Sequence, residues 1–237
     1  MRLDTNKETS LYAIYRQLYE HYGEQGWWPV IEKYNDKDCV EGWKSKYHPG
    51  CYKYPRNRRE EFQICAGAIL TQNTAWDNAA KALENLAAAE MLDAEKMVNA
   101  EEITVRNLIK PSGYYNIKSR KLKVFAKFYL ALAGEVPTRQ QLLNTWGIGP
   151  ETADSIRLYA YNQPEMVVDA YTRRMLSFLG LVSSEISYNE LKDYCCKNLP
   201  ADTCLYQEFH ALIVAHGKRY YTGKQYYEPV ICRANSK

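Results

Sequence analysis

Apolar side chains recur along this chain mostly at intervals of three and four, the spacing that puts them on one face of a helix. Leu11, Ile14, Tyr15, Leu18, Tyr19 and Tyr22 form one such stripe, closed by Gly23. Phe62, Cys65, Ala66, Ile69 and Leu70 form a second, and Ala79, Leu83 and Leu86 a third. Residues 101–109 lead into a Pro111-Ser-Gly113 turn, 117–133 make another helix ahead of Pro137, and Asp202 can cap a long helix carrying Leu205, Phe209, Leu212, Ile213 and His216. Alternating strand patterns are scarce, so the expected fold class is all-α.

The punctuation is sharpest around Thr145-Trp-Gly-Ile-Gly-Pro-Glu-Thr-Ala-Asp154. Thr138 followed by Gln141 is a capping-box pattern that opens a helix. Gly147 and Gly149 stop it, and Pro150 suits the first position of the next helix because its missing N–H would be unbonded there anyway. A hairpin of this kind offers backbone amides to a phosphate. Gly147, Ile148, Gly149, Glu151 and Thr152 are therefore the candidate phosphate-binding residues, in a cradle that carries no base information. The plainer alternative is an ordinary helical hairpin with a glycine turn.

A helix-length interval later comes Met166-Val-Val-Asp-Ala-Tyr-Thr-Arg-Arg174, in which an apolar run ends on a carboxylate, Asp169. An ionised acid in a dry cleft stabilises a positively charged transition state. Asp169 also suits the N-cap of a helix over 170–179, and the two roles can coexist.

These segments, together with Trp27-Trp-Pro29, Ala68-Ile-Leu-Thr-Gln-Asn-Thr74, Lys110-Pro-Ser-Gly-Tyr-Tyr-Asn-Ile-Lys118 and His210-Ala-Leu-Ile-Val-Ala-His-Gly217, resemble the helix-hairpin-helix DNA glycosylases of the endonuclease III superfamily, in family order over nearly the whole chain. Trp-Trp-Pro and Thr-Gln-Asn-Thr with Trp76 look most like the 3-methyladenine DNA glycosylase branch. The resemblance implies two helical lobes flanking a DNA-binding cleft, with 60–182 as the central lobe bearing the hairpin and 1–59 plus 183–237 as the other. It implies Asp169 as the catalytic carboxylate at the mouth of that cleft. It also implies a monovalent cation, Na+ or K+, on the hairpin carbonyls of Leu143, Thr145 and Ile148.

Three departures limit what carries over. Glycosylase/lyases of the superfamily keep a lysine where this chain has Glu151, and without that amine no Schiff base to the sugar forms there, which implies a monofunctional enzyme. Beyond Gly217 the chain offers only Cys232, so a four-cysteine iron–sulfur site cannot be built; Lys224 with Tyr220, Tyr221, Tyr226 and Tyr227 is expected to pack that end instead. Residues 33–58 form an insertion longer than the branch leads one to expect, expected to cover the N-terminal lobe, or else to extend the DNA face through Trp43, Lys46 and Tyr47.

The remaining chemistry follows from what base removal requires. A base must leave the stack, at a cost of about a few kcal/mol, and something must fill the gap. Gln72 is the candidate wedge, with Asn73 beside it. The flipped base needs aromatic faces, and cation–π attraction favours one made positive by alkylation; Trp28 and Trp76 are the candidates, with Trp27, Pro29 and His210 shaping the pocket. Each tryptophan alone fits core packing as well. Asp169 would then stabilise an oxocarbenium-like sugar. A neutral base such as uracil would need donors, for which Tyr114, Tyr115, Asn116 and His210 are available. The expected activity is hydrolysis of the N-glycosidic bond of 3-methyladenine-like purines in double-stranded DNA. The alternatives are a glycosylase for uracil, mismatched thymine or oxidised bases, and a non-catalytic DNA-binding scaffold.

Composition changes this picture little. With 237 residues the chain can bury a proper core, and a net charge of +3 says less than where the charge lies. Arg56, Arg58 and Arg59 cluster, and Lys118, Arg120, Lys121, Lys123 and Lys127 occur with no acid among them, so phosphate contact and salt-sensitive binding are expected. Seven cysteines at irregular spacings point to a reducing, intracellular setting. Cys39 and Cys51 with His48 fall short of a zinc site. No apolar stretch suits a membrane span or secretory signal. A monomer needing no essential cofactor is expected.

Overall fold

The computed structural model describes residues 10–35, 41–223 and 225–232. It is mostly helical, with one two-stranded sheet, and divides into two compact units: Trp28–Gln163, and Met1–Trp27 with Pro164–Lys237. The boundaries differ from the expected 60–182 division at both ends. The insertion joins the central unit because its strands pack on that unit's first two helices, and 164–182 joins the other because its helix packs on the C-terminal one.

In the central unit, β1 (Val30–Asn35) and β2 (Glu41–Lys46) pair antiparallel, from Val30 opposite Lys46 to Asn35 opposite Glu41. Diagonal ion pairs, Lys33–Glu41 at 2.5 Å and Lys46–Glu32 at 2.9 Å, link the strands. Val30 and Ile31 are buried, and the Ile31 amide donates to Gln63. The sheet covers the central unit, and so the insertion is part of its wall. Of the candidate zinc ligands, Cys39 lies outside the described residues, and His48 stacks on Tyr54 at 3.9 Å.

Helix α2 (Arg58–Leu70) is buried on every side, with α3 (Trp76–Ala88), α6 (Tyr115–Ala131) and β1 packed around it. Asn57 caps its start by accepting from the Glu60 amide. The short helices α4 (Ala94–Asn99) and α5 (Glu102–Leu108) lean on α6, and a single 3-10 turn at Lys110–Ser112 precedes it. Helix α7 (Arg139–Asn144) carries the full Thr138/Gln141 capping box. Helix α8 (Pro150–Ser155) runs straight into a π-helical turn, Ile156–Ala160, packed on α2.

The other unit holds α1 (Ser10–Tyr22), α9 (Ala170–Phe178), α10 (Tyr188–Asn198) and α11 (Thr203–Tyr220). Helix α11 is its core, with α1 and α9 against it. Asp202 caps α11 through the Leu205 amide, and Ser187 with Glu190 boxes α10. At the chain's end Glu228 accepts from His216 Nε2 at 2.8 Å, from the Tyr221 hydroxyl and from the Val230 and Ile231 amides, while His216 Nδ1 meets Tyr22 at 2.8 Å. Burial pushes the Glu228 carboxyl up, but these donors outweigh it and bring it down to about 2. Of the four tyrosines expected to pack this end, Tyr220 and Tyr221 ring His216 and Tyr226 packs on Tyr221, while Tyr227 is 67% exposed. Lys224 lies outside the described residues.

Candidate nucleic-acid interface and catalytic carboxylate

Asp169 is the N-cap of α9, and the apolar run before it is fully buried in Met166, Val167 and Val168. Its Oδ1 accepts from the Thr172 amide at 2.7 Å and from the Thr172 hydroxyl at 2.8 Å, while its own amide donates to that hydroxyl at 3.2 Å. This is a capping box built on one carboxylate oxygen, and among the described residues Oδ2 carries no protein hydrogen bond. The acid is half-buried.

In the same unit His210, on α11, lies buried close enough to Asp169 to feel its charge. Burial holds its imidazole below the ordinary value, against the opposing pull of the Asp169 carboxylate. The Trp27 ring meets His210 edge-on, centroids 5.6 Å apart and planes at 89°. The loop that carries Trp27 is pinned by a buried carboxylate: Glu208, on α11, accepts from the Gln25 amide at 2.6 Å.

The hairpin lies in the central unit and differs in detail from the sequence reading. Gly147 has φ of +88°, which only glycine adopts freely, and Gly149 caps α8 in extended geometry ahead of Pro150. The expectation that Ile148 offers its amide to a phosphate is corrected: that N–H donates to the Thr145 carbonyl at 3.1 Å, closing the turn, and the Ile148 side chain is buried. Thr152 is buried and accepts a hydrogen bond, while Glu151 is exposed in the first turn of α8. An ion pair from half-buried Arg139 to fully buried Asp154, at 2.7 and 3.3 Å, fixes α7 on α8. Among the three carbonyls implied for a monovalent cation, that of Thr145 already accepts the turn bond, and those of Leu143 and Ile148 accept none among the described residues. Orphaned, uncharged oxygens at a helix end fit a weakly held alkali ion.

Gln72 does not project from the surface. Its Nε2 donates to the Gly147 carbonyl and the Thr152 hydroxyl, both at 3.0 Å, and its Oε1 accepts from Lys121 Nζ at 2.5 Å. Asn73, next to it, is exposed with φ of +52°. Of the exposed large apolar side chains among the described residues Tyr114 is the most exposed, at 70%, with φ of +47° at the start of α6. Its turn is tied to the end of α2 by Lys118, whose buried ammonium donates to the Leu70 and Ser112 carbonyls at 2.7 Å each. Thus the loop after α2, the Tyr114 turn and the hairpin are linked by Lys118, Lys121 and Gln72.

Several residues of the basic runs have partners within the protein, though Arg56, Arg58, Arg59, Arg120 and Lys127 are exposed. Lys123 caps α4 through the Met97, Val98 and Ala100 carbonyls, and Arg120 pairs with Glu102. Arg56 pairs with Glu60 and Glu32, Arg58 lies over Tyr129, and Arg59 lies over Trp43. Of the expected phosphate-facing residues, the structure turns Lys118 and Lys123 inward onto carbonyl groups.

Trp28 and Trp76 pack edge to face at 5.6 Å, Trp28 also meets Tyr159 at 5.3 Å, and the two indoles are only 5% and 9% exposed. A Cβ on Gly67 would come within 2.9 Å of the Trp28 ring, so that helix position is glycine because the indole lies on the backbone. Pro29 is buried beside them in sequence. These three are core residues of the central unit, whereas Trp27 and His210 belong with Asp169.

Sequence reasoning missed Thr172, Lys118, Arg139, Asp154 and Glu208 as supports. Only Thr172, three residues after Asp169, carried a readable signal, since that spacing is the capping-box pattern.

Comparison with known proteins places the geometry. Residues 66–201 match the model for "HhH-GPD superfamily base excision DNA repair protein". A proposed DNA repair glycosylase of Methanocaldococcus jannaschii is 37% identical over 91% of this chain and 90% of its own. Among solved structures, an H. pylori 3-methyladenine DNA glycosylase bound to 1,N6-ethenoadenine aligns at TM-score 0.62 and 31% identity, over 67% of this chain and 85% of that one. An endonuclease III in non-covalent complex with DNA shares the fold at TM-score 0.70 and 16% identity, over 93% and 90% of the two chains. The matched span runs from α2 through the hairpin and Asp169 to the end of α10, and the chain belongs to the HhH-GPD superfamily of base excision DNA repair proteins.

Proposed function

We propose that this chain is a monofunctional DNA glycosylase that hydrolyses the N-glycosidic bond of 3-methyladenine-like alkylated purines in double-stranded DNA. The observation that carries the reading is Asp169 itself: one oxygen is committed to capping α9, and the other is left for the reacting sugar. A DNA-binding scaffold needs no such acid.

An alkylated purine already bears positive charge, so when its bond to C1′ breaks the electron pair leaves with the base, which departs neutral. The charge stays on the sugar as an oxocarbenium ion facing the carboxylate, and water completes the hydrolysis at C1′ and loses its proton. His210, held neutral by burial, and the Trp27 ring are the base contacts assigned to this unit; an uncharged imidazole does not repel a cationic purine. Similarity to the H. pylori glycosylase supports the alkylated-base assignment. Glu151 at the superfamily's lysine position supports hydrolysis without strand cleavage. Tyr114, exposed on a left-handed turn, replaces Gln72 as the proposed wedge, with Asn73 toward the opposite strand. The enzyme acts as a monomer, with Na+ or K+ on the hairpin carbonyls of Leu143, Thr145 and Ile148 as a structural ion.

The test is base release from duplexes each carrying 3-methyladenine, 7-methylguanine, hypoxanthine, uracil, a G·T mismatch or 8-oxoguanine, comparing wild type with Asp169→Asn. Release of methylated purines, lost in the variant and leaving an uncut abasic strand, is the expected result. Release of neutral bases only would overturn the substrate assignment, and DNA binding with no release from any duplex would make the chain a scaffold.

A further inference from the structure

Lys121 is an anomaly among the basic residues of α6. Lys118 and Lys123 each cap carbonyl groups and Arg120 has a carboxylate partner, but Lys121 is half-buried, and its one hydrogen bond among the described residues goes to a neutral amide, Gln72 Oε1. Burial lowers the pKa of this half-buried ammonium, and its charge in turn acts on the buried Lys118. A partly desolvated cation with no counter-ion is stabilised by any anion that reaches it.

The position of this ammonium is fixed by its stem and its tip rather than left to a flexible chain. A Cβ on Gly147 would fall 2.5 Å from Lys121 Cγ, so the lysine stem lies directly on the hairpin backbone. Nζ is then held at Gln72, and Gln72 in turn is held by the Gly147 carbonyl and Thr152. An ammonium has three donors, and among the described residues one finds a protein acceptor. The hairpin meanwhile has fewer amides to offer than its sequence suggests, because that of Ile148 closes the turn.

We propose that Lys121 is the charged ligand for the DNA backbone phosphate that docks on the Gly147–Gly149 hairpin, with Gln72 acting as the residue that positions it. The inference rests on the DNA-binding reading above and deepens it. It assigns a charged contact to a cradle that backbone amides alone would leave neutral, and it gives Gln72 a role other than filling the base stack. The anion is a DNA backbone phosphate rather than a free one because the chain belongs to a family of DNA repair proteins, and the hairpin on which the ammonium lies is within the matched span.

Two measurements on the full chain test it. The first is the salt dependence of binding to an undamaged duplex: Lys121→Gln should reduce the slope of log K against log salt by about 0.9 and weaken damaged and undamaged duplexes by the same factor, and Lys121→Arg should restore both. The second is acetylation of wild-type lysines by acetic anhydride, read by mass spectrometry: the duplex should protect Lys121 but not the exposed Lys81 of α3. The footprint needs no variant, so a poorly folding Lys121→Gln does not blunt the test. An unchanged slope in a folded variant, or protection of Lys121 by inorganic phosphate but not by duplex, overturns the proposal. Failure of the glycosylase reading would show separately, as absent base release with the salt slope intact.

Discussion

Lys118→Met is the substitution whose cost the structure states most directly. The ammonium is 2% exposed and donates to two carbonyls, Leu70 and Ser112, that accept no other hydrogen bond among the described residues. Methionine fills the space but donates nothing, so two buried acceptors are orphaned at about 1–3 kcal/mol each, less the cost relieved by no longer burying a cation. A net loss of about 2–4 kcal/mol is expected, measurable as a fall in the urea midpoint with an unchanged slope. The pH dependence gives an independent check. Burial, with Lys121 adding to it, pulls the Lys118 pKa from 10.5 down to about 8 in the folded state. Between those two values the unfolded chain binds more protons than the folded one, so folding gains stability as pH rises through that window. The gap between wild type and Lys118→Met should therefore widen from pH 7.5 to about 10. A variant within about 0.5 kcal/mol of wild type, or a gap that narrows as pH rises, would refute the assignment of the two carbonyl bonds.

Four further outcomes follow from the same geometry. Arg139→Met, which removes a guanidinium hydrogen-bonded to the fully buried Asp154, should cost about 1.5–3 kcal/mol in chemical denaturation, the worth of hydrogen bonds to a charged group. Gly67→Ala should cost about 1–3 kcal/mol and perturb the Trp28 fluorescence, since the new methyl meets the indole at 2.9 Å. Tyr114→Ala should leave the melting temperature within a degree or two, the side chain being 70% exposed, while slowing base release and base flipping followed with a 2-aminopurine reporter. For Glu228, whose folded pKa is depressed to about 2, stability is present above its ordinary 4.5 and lost as pH falls towards 2, so the advantage of wild type over Glu228→Gln should shrink across that acid window in circular dichroism melts.

Much of this was legible in the chain because local rules sufficed. Thr138/Gln141, Asp169 and Asp202 stood as caps where the spacing said they would, and the Gly147–Pro150 turn ended one helix and opened the next. What was not legible depended on partners far apart in sequence. The strands at 30–35 and 41–46 carry no apolar alternation; they are held by Lys33–Glu41 and Lys46–Glu32 pairs and by packing on α2 and α3. Helices α4 and α10 have few buried positions to give a period. Lys118 and Lys123 read as part of a phosphate face because a sequence does not show that Leu70, Ser112, Met97 and Val98 turn carbonyls toward them. The indoles of Trp28 and Trp76 could equally have been pocket or core, and Gly67 beneath Trp28 is the detail that marks them as packed.

Thr172 offers the sharpest separation between structure and chemistry at Asp169. Its hydroxyl donates to Oδ1 at 2.8 Å and accepts from the Asp169 amide at 3.2 Å, so it fixes the carboxylate rotamer as well as the helix start. The residue is fully buried, and valine has its shape without the hydroxyl, so Thr172→Val should retain the fold at a cost of about 1 kcal/mol. A hydrogen bond to a charged group is worth about 1.5–3 kcal/mol, and if that energy holds the free oxygen toward the sugar, kcat should fall about ten- to a hundredfold with KM for DNA unchanged. Thr172→Ser, which keeps the hydroxyl, should recover most of the rate. Were Thr172→Val to melt lower yet turn over at the wild-type rate, the cap would be purely structural and Asp169 would not owe its aim to α9. Equal loss in kcat and rise in KM would instead place Thr172 in DNA binding. Only a fall confined to kcat fits an acid whose one oxygen holds the helix so that the other can face the substrate.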